Sequence, residues 1–140
     1  MELITSLTNA KVKMALSLQQ KKYRDKYQLF ILEGIRNAEM VIAKNISVQM
    51  CFFTQKAFTN ERGKSILEQL KCPCFEVPEH IYQKISDTQS PQGLMLILPI
   101  QNHNLDDLAT INKSGLYLIL DRLQDPGNIG TIIRTADAMG

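Results

Sequence analysis

Apolar and polar positions follow two periods along this chain, and each switch between them marks an element. Residues 6–22, "SLTNAKVKMALSLQQKK", carry the 3.6-residue spacing of an amphipathic helix. Val12, Ala15, Leu16 and Gln19 share one face, Leu18 lies at its margin, and Lys11, Lys13 and Lys21 point elsewhere. Thr8 or Asn9 can cap this helix, because a short polar side chain satisfies free N–H groups of the first turn. "YQLFILEG", residues 27–34, is instead a continuous apolar run closed by Glu33-Gly34, the pattern of a buried strand. "IRNAEMVIAKN" restores helical spacing through Ile35, Ala38, Val41 and Ile42, with Asn45 as its stop.

The alternation continues. "ISVQMCFFT" (46–54) is a second strand, and "NERGKSILEQLK" (60–71) a short helix with Ile66, Leu67 and Leu70 on one side. "CPCFEVP" (72–78) is a third strand, placed at a sheet edge by its prolines. "EHIYQKISD" fits another short helix, "TQSPQG" is turn chemistry, and "LMLILPI" (94–100) is a fourth strand. The β-α-β-α-β-α-β order predicts an α/β layer with a mostly parallel sheet, in which residues 1–99 bury their own core. The polar stretch 100–113 reads as a linker, and 114–140 as the start of a second domain. That start holds a strand, "GLYLIL" (115–120), and a helix from about Ile129.

Composition adds limits. With 44% hydrophobic and 21% charged residues, the chain is a globular protein rather than a disordered one. No apolar stretch approaches the ~20 residues of a membrane span. The N-terminus lacks a basic region followed by an apolar core, so a soluble cytoplasmic protein is expected. The three cysteines, Cys51, Cys72 and Cys74, are an odd set in such a setting, and structural disulfides are not expected. "CPC" invites a metal reading, but His80 and His103 show no paired ligand spacing, so no metal site is expected. Net charge is +2 but uneven: residues 1–44 carry eight Lys/Arg against four acids. The excess lies mainly at Lys11, Lys13, Lys21, Lys22, Arg24 and Lys26. Such a stripe is a phosphate-binding hint, set against the plain alternative of a solvated face.

The chain's last 23 residues, "LILDRLQDPGNIGTIIRTADAMG", hold the densest chemistry. In an open α/β sheet, ligands gather beyond the carboxyl ends of the strands, where "DRLQDPGNIG" sits. Pro126 and Gly127 are expected to turn, and Asn128 to cap the helix. Ile129, Ile132, Ile133, Ala136 and Met139 form its apolar face, and Arg134 lies off that face. Helical side chains lean toward the N-terminus, so Arg134 can fold over Gly130, four residues earlier. Asn128, Gly130 and Arg134 then make a cap, a gap and a fixed cation whose planar fork suits phosphate. The plainer alternative pairs Arg134 with Asp137 on a solvated helix. "GNIGT" lacks the lysine and spacing of a P-loop.

These residues resemble the first signature of the SpoU (TrmH) family of the SPOUT superfamily, the knotted RNA ribose 2′-O-methyltransferases. Its pattern, Asp-Pro-x-Asn-x-Gly-x-x-x-Arg-Thr-Ala, is met by Asp125, Pro126, Asn128, Gly130, Arg134, Thr135 and Ala136. Residues 8–45 are similar to that family's substrate-binding domain in the order Asn, Lys, basic cluster, apolar strand, Glu-Gly, helix, and "SDTQSPQGLMLIL" is similar to its closing turn.

The resemblance implies an α/β fold. A ribosomal-protein-like RNA-binding domain comes first, followed by the first βα unit of a knotted methyltransferase domain. It implies that the basic residues above, together with Arg36, contact rRNA or tRNA. It implies S-adenosylmethionine as methyl donor, a homodimer, Arg134 as the catalytic residue, Asn128 as its support, and Asp125, Gly127 and Gly130 as the active-site loop. The reaction so implied is attack of a ribose 2′-hydroxyl on the sulfonium methyl. A guanidinium keeps its proton in water, so Arg134 is expected to hold the adjoining phosphate and stabilise alkoxide charge rather than act as a base. The two later signatures, which build the knot and cofactor pocket, do not occur in these 140 residues. The polypeptide by itself is therefore expected to be inactive and to bind no cofactor, with its last strand and helix poorly anchored or packed on a neighbour. Two competing readings are a stand-alone RNA-binding module and an unrelated α/β protein holding a mononucleotide in the loop.

Overall fold

The computed structural model describes residues 1–102 and 117–139. Most of the expected linker therefore lies outside the described residues. The chain divides into two compact units, Met1–Gln101 and Asn102–Gly140.

The first unit is a five-stranded sheet between two helical layers. Its strands are β1 (Glu2–Leu3), β2 (Leu29–Glu33), β3 (Met50–Phe53), β4 (Cys74–Glu76) and β5 (Leu94–Pro99), in the order β1-β4-β3-β5-β2. Its helices are α1 (Ala10–Ser17), α2 (Lys21–Tyr27), α3 (Ile35–Ala43), α4 (Gln55–Thr59), α5 (Glu61–Gln69) and α6 (Glu79–Ile85). Strand alternation divides the core. Phe52, Phe75, Met95 and Ile97 pack with Val12, Ala15 and Leu18 and with Ile81, Tyr82 and Ile85, so α1 and α6 cover one face. Cys51, Phe53, Leu94, Leu96 and Leu98 pack with Ala38, Val41, Ala57, Ile66 and Leu67, so α3, α4 and α5 cover the other. Neighbouring side chains on a strand point to opposite faces, so each continuous apolar run feeds both clusters.

Several expectations need correction. The sheet is mixed: β1 and β3 run parallel to β4, whereas β5 runs antiparallel to both β3 and β2. Helix α6 has only seven residues, and the turn after it sends β5 back against β3. "CPCFEV" lies inside the sheet, between β1 and β3. Its prolines cost the ladder nothing, because they flank the strand, and Pro73 lends its carbonyl to the Cys51 N–H at 3.0 Å. The apolar run at Leu29–Glu33 is an edge strand, half-buried throughout. The helix expected over 6–22 is shorter, Ala10–Ser17, and a separate helix, α2, occupies Lys21–Tyr27, where none was expected beyond residue 22. Asn9 caps α1 by accepting from the Lys11 N–H at 2.8 Å, and the chain turns at the buried Leu18. β1 and α4 are additional elements that residue spacing did not reveal.

Two close places in the fold show what glycine permits. Gly34 has φ +100° between β2 and α3, where a side chain would be strained. A Cβ at Gly63 would run into the Ala57 carbonyl, so α4 and α5 approach closely only because this residue has none.

In the second unit, α7 runs Pro126–Ala138. Residues 117–120, the described part of the strand expected at 115–120, are not part of a strand; 115 and 116 lie outside the described residues. The apolar face of α7 is likewise not buried: Ile133 is 53% and Met139 80% exposed. No helix among the described residues is long and apolar enough to cross a membrane.

Candidate functional site

Helix α7 begins earlier than its apolar spacing implied. Asp125 is the cap, its carboxylate accepting from the Gly127 N–H at 2.8 Å, and Pro126 is the first helical residue. Proline suits this position because its φ is already helical and its missing N–H would have had no partner. Pro126 and Gly127 are thus the first helical turn, and Asn128 is an exposed residue within it rather than the cap.

Two turns on, Arg134 folds back toward the loop. A side-chain carbon at Gly130 would stand 3.1 Å from the Arg134 Nη1, so the guanidinium occupies the space that glycine leaves. Arg134 Nη2 donates to Thr131 Oγ1 at 3.1 Å, and that hydroxyl donates to the Gly127 carbonyl at 2.9 Å. Arg134 therefore turns toward Thr131 and not toward Asp137. Asp125, Gly127, Thr131 and Arg134 form one hydrogen-bonded chain along the exposed start of the helix. Thr131 stands at a free position of the signature pattern. Its spacing, four residues after Gly127 and three before Arg134, was the available signal. Beside it, Tyr117, Leu118, Ile132, Thr135, Ala136 and Met139 help to line an open apolar depression of about 500 Å³.

In the first unit the basic residues do not form one stripe. Lys11 pairs with Glu2 at 3.0 Å and stands 4.2 Å from the centre of the Phe75 ring, at the β1–β4 edge of the sheet. Lys13 is exposed on α1. Lys21, Lys22 and Lys26 are exposed on α2, near the β2 edge. Arg24 serves the fold instead, since its Nη1 donates to the carbonyls of Leu18 (2.9 Å) and Gln19 (2.8 Å), which lie at the end of α1. A guanidinium there satisfies carbonyls that the helix leaves free.

Arg36 follows β2, at the edge of the sheet opposite Lys11. It borders a polar depression of about 330 Å³ with Glu33, Gly34, Asn37, Thr88, Ser90 and Gln92. Gln92 Oε1 accepts the Ile35 N–H at 2.9 Å, closing the start of α3. The Glu33 carboxylate accepts from Ser86 Oγ (2.7 Å), the Asp87 N–H (3.0 Å) and Thr88 Oγ1 (3.3 Å), fixing the turn below the depression. The Tyr82 hydroxyl is fully buried without a hydrogen-bond partner among the described residues. Burial first, and then the nearby Glu33 charge, push its phenol well above the ordinary range. The Glu33 clamp depends on residues more than fifty positions away, and residue spacing gave no sign of it.

The comparisons with known proteins agree on one group. Residues 9–96 match the family model described as the MRM3-like substrate binding domain. The chain is 33% identical over 140 residues to the 23S rRNA (guanosine(2553)-2′-O)-methyltransferase RlmP of Bacillus subtilis, covering 100% of this chain and 52% of that protein. It is 32% identical to rRNA methyltransferase 3, mitochondrial, of Xenopus laevis over 125 residues, which are 87% of this chain and 29% of the relative. Among solved structures, an rRNA methyltransferase from Sinorhizobium meliloti superposes with a TM-score of 0.83 at 30% identity, covering 99% of this chain and 52% of that one. The AdoMet-bound rRNA methyltransferase from the same organism superposes with a TM-score of 0.80 at 32% identity. The chain spans about half the length of the Bacillus relative and of these structures.

Proposed function

Because the chain belongs to the MRM3-like substrate-binding family, whose relatives here are SpoU-family rRNA 2′-O-methyltransferases, we propose that it supplies the RNA-holding half of an RNA ribose 2′-O-methyltransferase. In this reading the first unit grips RNA through Lys13, Lys21, Lys22, Lys26 and Arg36, and α7 presents Arg134 to the reacting ribose. Ribosomal RNA is the favoured substrate, since the relatives' names specify it. A homodimer and S-adenosylmethionine belong to the same proposal for a protein of the relatives' length.

The observation that carries this reading is the chain Asp125–Gly127–Thr131–Arg134, which holds a permanent cation over a glycine at an exposed helix start. Arg134 so placed can bind the phosphate next to the target ribose and orient the 2′-hydroxyl. It can also stabilise the negative charge that grows on that oxygen. Fixed donors do this better than mobile ones because no reorganisation is needed as charge develops. The described residues of the second unit fit this RNA-facing role.

The test compares Arg134→Lys with Arg134→Ala in a protein of the relatives' length, with ribose methylation of rRNA mapped by mass spectrometry. Charge stabilisation predicts partial activity for lysine and loss for alanine. Equal loss in both would remove simple charge stabilisation, and full activity in alanine would remove Arg134 from the site.

A further inference from the structure

Helix α2 carries a feature that the basic-stripe reading does not use. Its sequence, "KKYRDKY", interleaves two tyrosines with four cations and one acid. Tyr23 and Tyr27 are one helical turn apart, with ring centres 6.2 Å apart and planes within 13° of parallel. Lys22 Nζ lies 4.7 Å from the centre of the Tyr23 ring, and Lys26 Nζ lies 5.4 Å from that of Tyr27. No residue of α2 is buried, and Tyr27 is 42% exposed. The rings are therefore not core residues. Arg24 fixes the helix from beneath, so the lysines are not needed to hold it in place.

We propose that the parallel Tyr23–Tyr27 pair, with Lys22 and Lys26 beside it, is a stacking platform for unpaired RNA nucleotides. This rests on the RNA-holding role proposed above and specifies which form of RNA is held. A single-stranded nucleotide offers a free base face and an adjacent phosphate, and this surface offers an aromatic face and an adjacent ammonium. A duplex offers the phosphate alone, because its base faces are stacked on one another. The ammonium groups at the rings are held weakly, as exposed cation–π contacts are, so an arriving base displaces them onto its phosphate at low cost.

The experiment measures binding of the 140-residue chain to a labelled oligouridylate and to a blunt RNA duplex of equal length, across a salt series. The single strand is expected to bind more tightly. Tyr27→Ala is expected to weaken single-strand binding about tenfold, leaving duplex affinity and the salt slope unchanged. Tyr27→Phe, which keeps the ring, is expected to bind like the parent. Lys22→Ala is expected to flatten the single-strand salt slope by about 0.7. The chain has four tyrosines and no tryptophan, so the part of the oligouridylate quenching of tyrosine emission that Tyr27→Phe removes reports stacking on that ring. Equal binding of duplex and single strand, with Tyr27→Ala unchanged, overturns the platform but leaves RNA holding intact. Failure to bind either RNA overturns both.

Discussion

Gly130 and Arg134 are in close contact: a side-chain carbon at 130 would stand 3.1 Å from the Arg134 Nη1, tighter than most carbon contacts. Gly130→Ala therefore sets two effects against each other. Alanine favours a helix by about 1 kcal/mol over glycine, so α7 should become more stable, while the guanidinium must shift slightly to make room. In a protein of the relatives' length, methyl transfer should fall several-fold, short of the ~hundredfold that a full ångström of misplacement costs. Higher helix content with undiminished methylation would show that the position of Arg134 is not what matters.

Asp125, not Asn128, closes the start of α7. Asp125→Ala should destabilise the helix by about 1 kcal/mol, seen as faster amide exchange at Gly127. Asn128→Ala should leave that exchange unchanged. If Asn128→Ala alone speeds it, the cap is misassigned.

Glu33 joins β2 to the turn at residues 86–88 through three hydrogen bonds. Glu33→Ala leaves those donors without a partner and should cost about 1–3 kcal/mol in urea unfolding. Loss of order should centre on residues 86–92 in exchange data. An unchanged unfolding midpoint would mean that water replaces the carboxylate without cost.

Arg62 grips the Glu39 carboxylate with two bonds, at 2.7 and 2.6 Å. That hydrogen bonding, ahead of the countervailing burial, holds Glu39 below its ordinary pKa. The sign follows: its contribution to stability is present above the ordinary glutamate pKa and is lost as pH falls through the lowered folded value. The pair is exposed, so the contribution is small. Arg62→Met should return the Glu39 titration, followed by NMR, to the ordinary range and flatten the acid limb of stability. A Glu39 titration that does not move would show that another cation holds it down.

Most of the first unit was legible because its apolar runs are long enough to register. Leu94–Pro99 and Met50–Phe53 read as strands from their residues alone, and both are. Strand direction was not legible, because the same run suits a parallel or an antiparallel neighbour. β2 read as a buried strand because apolar content reports burial of side chains and not the number of paired neighbours, and β4 read as an edge because its prolines flank the strand rather than interrupt it. β1 escaped because two residues carry no period. At the second unit, the spacing of Gly130 and Arg134 predicted their contact, since one helical turn fixes it. The cap was misplaced because Asp125 and Asn128 are both good capping residues, and only Pro126 between them favoured the earlier one.

β5 sits between β3 and β2 although it is the last strand of its unit to be made. On the ribosome, β2 emerges some sixty residues before the strand that pairs with it. Until residue 98 is free of the exit tunnel, the backbone edge of β2 and one edge of β3 have no partner, and Phe30 and Leu32 lack the strand beside them. The unit must therefore close in a late step, when β5 slots into a prepared gap. Codons or chaperones that act near that point in synthesis would govern its yield more than those that act earlier.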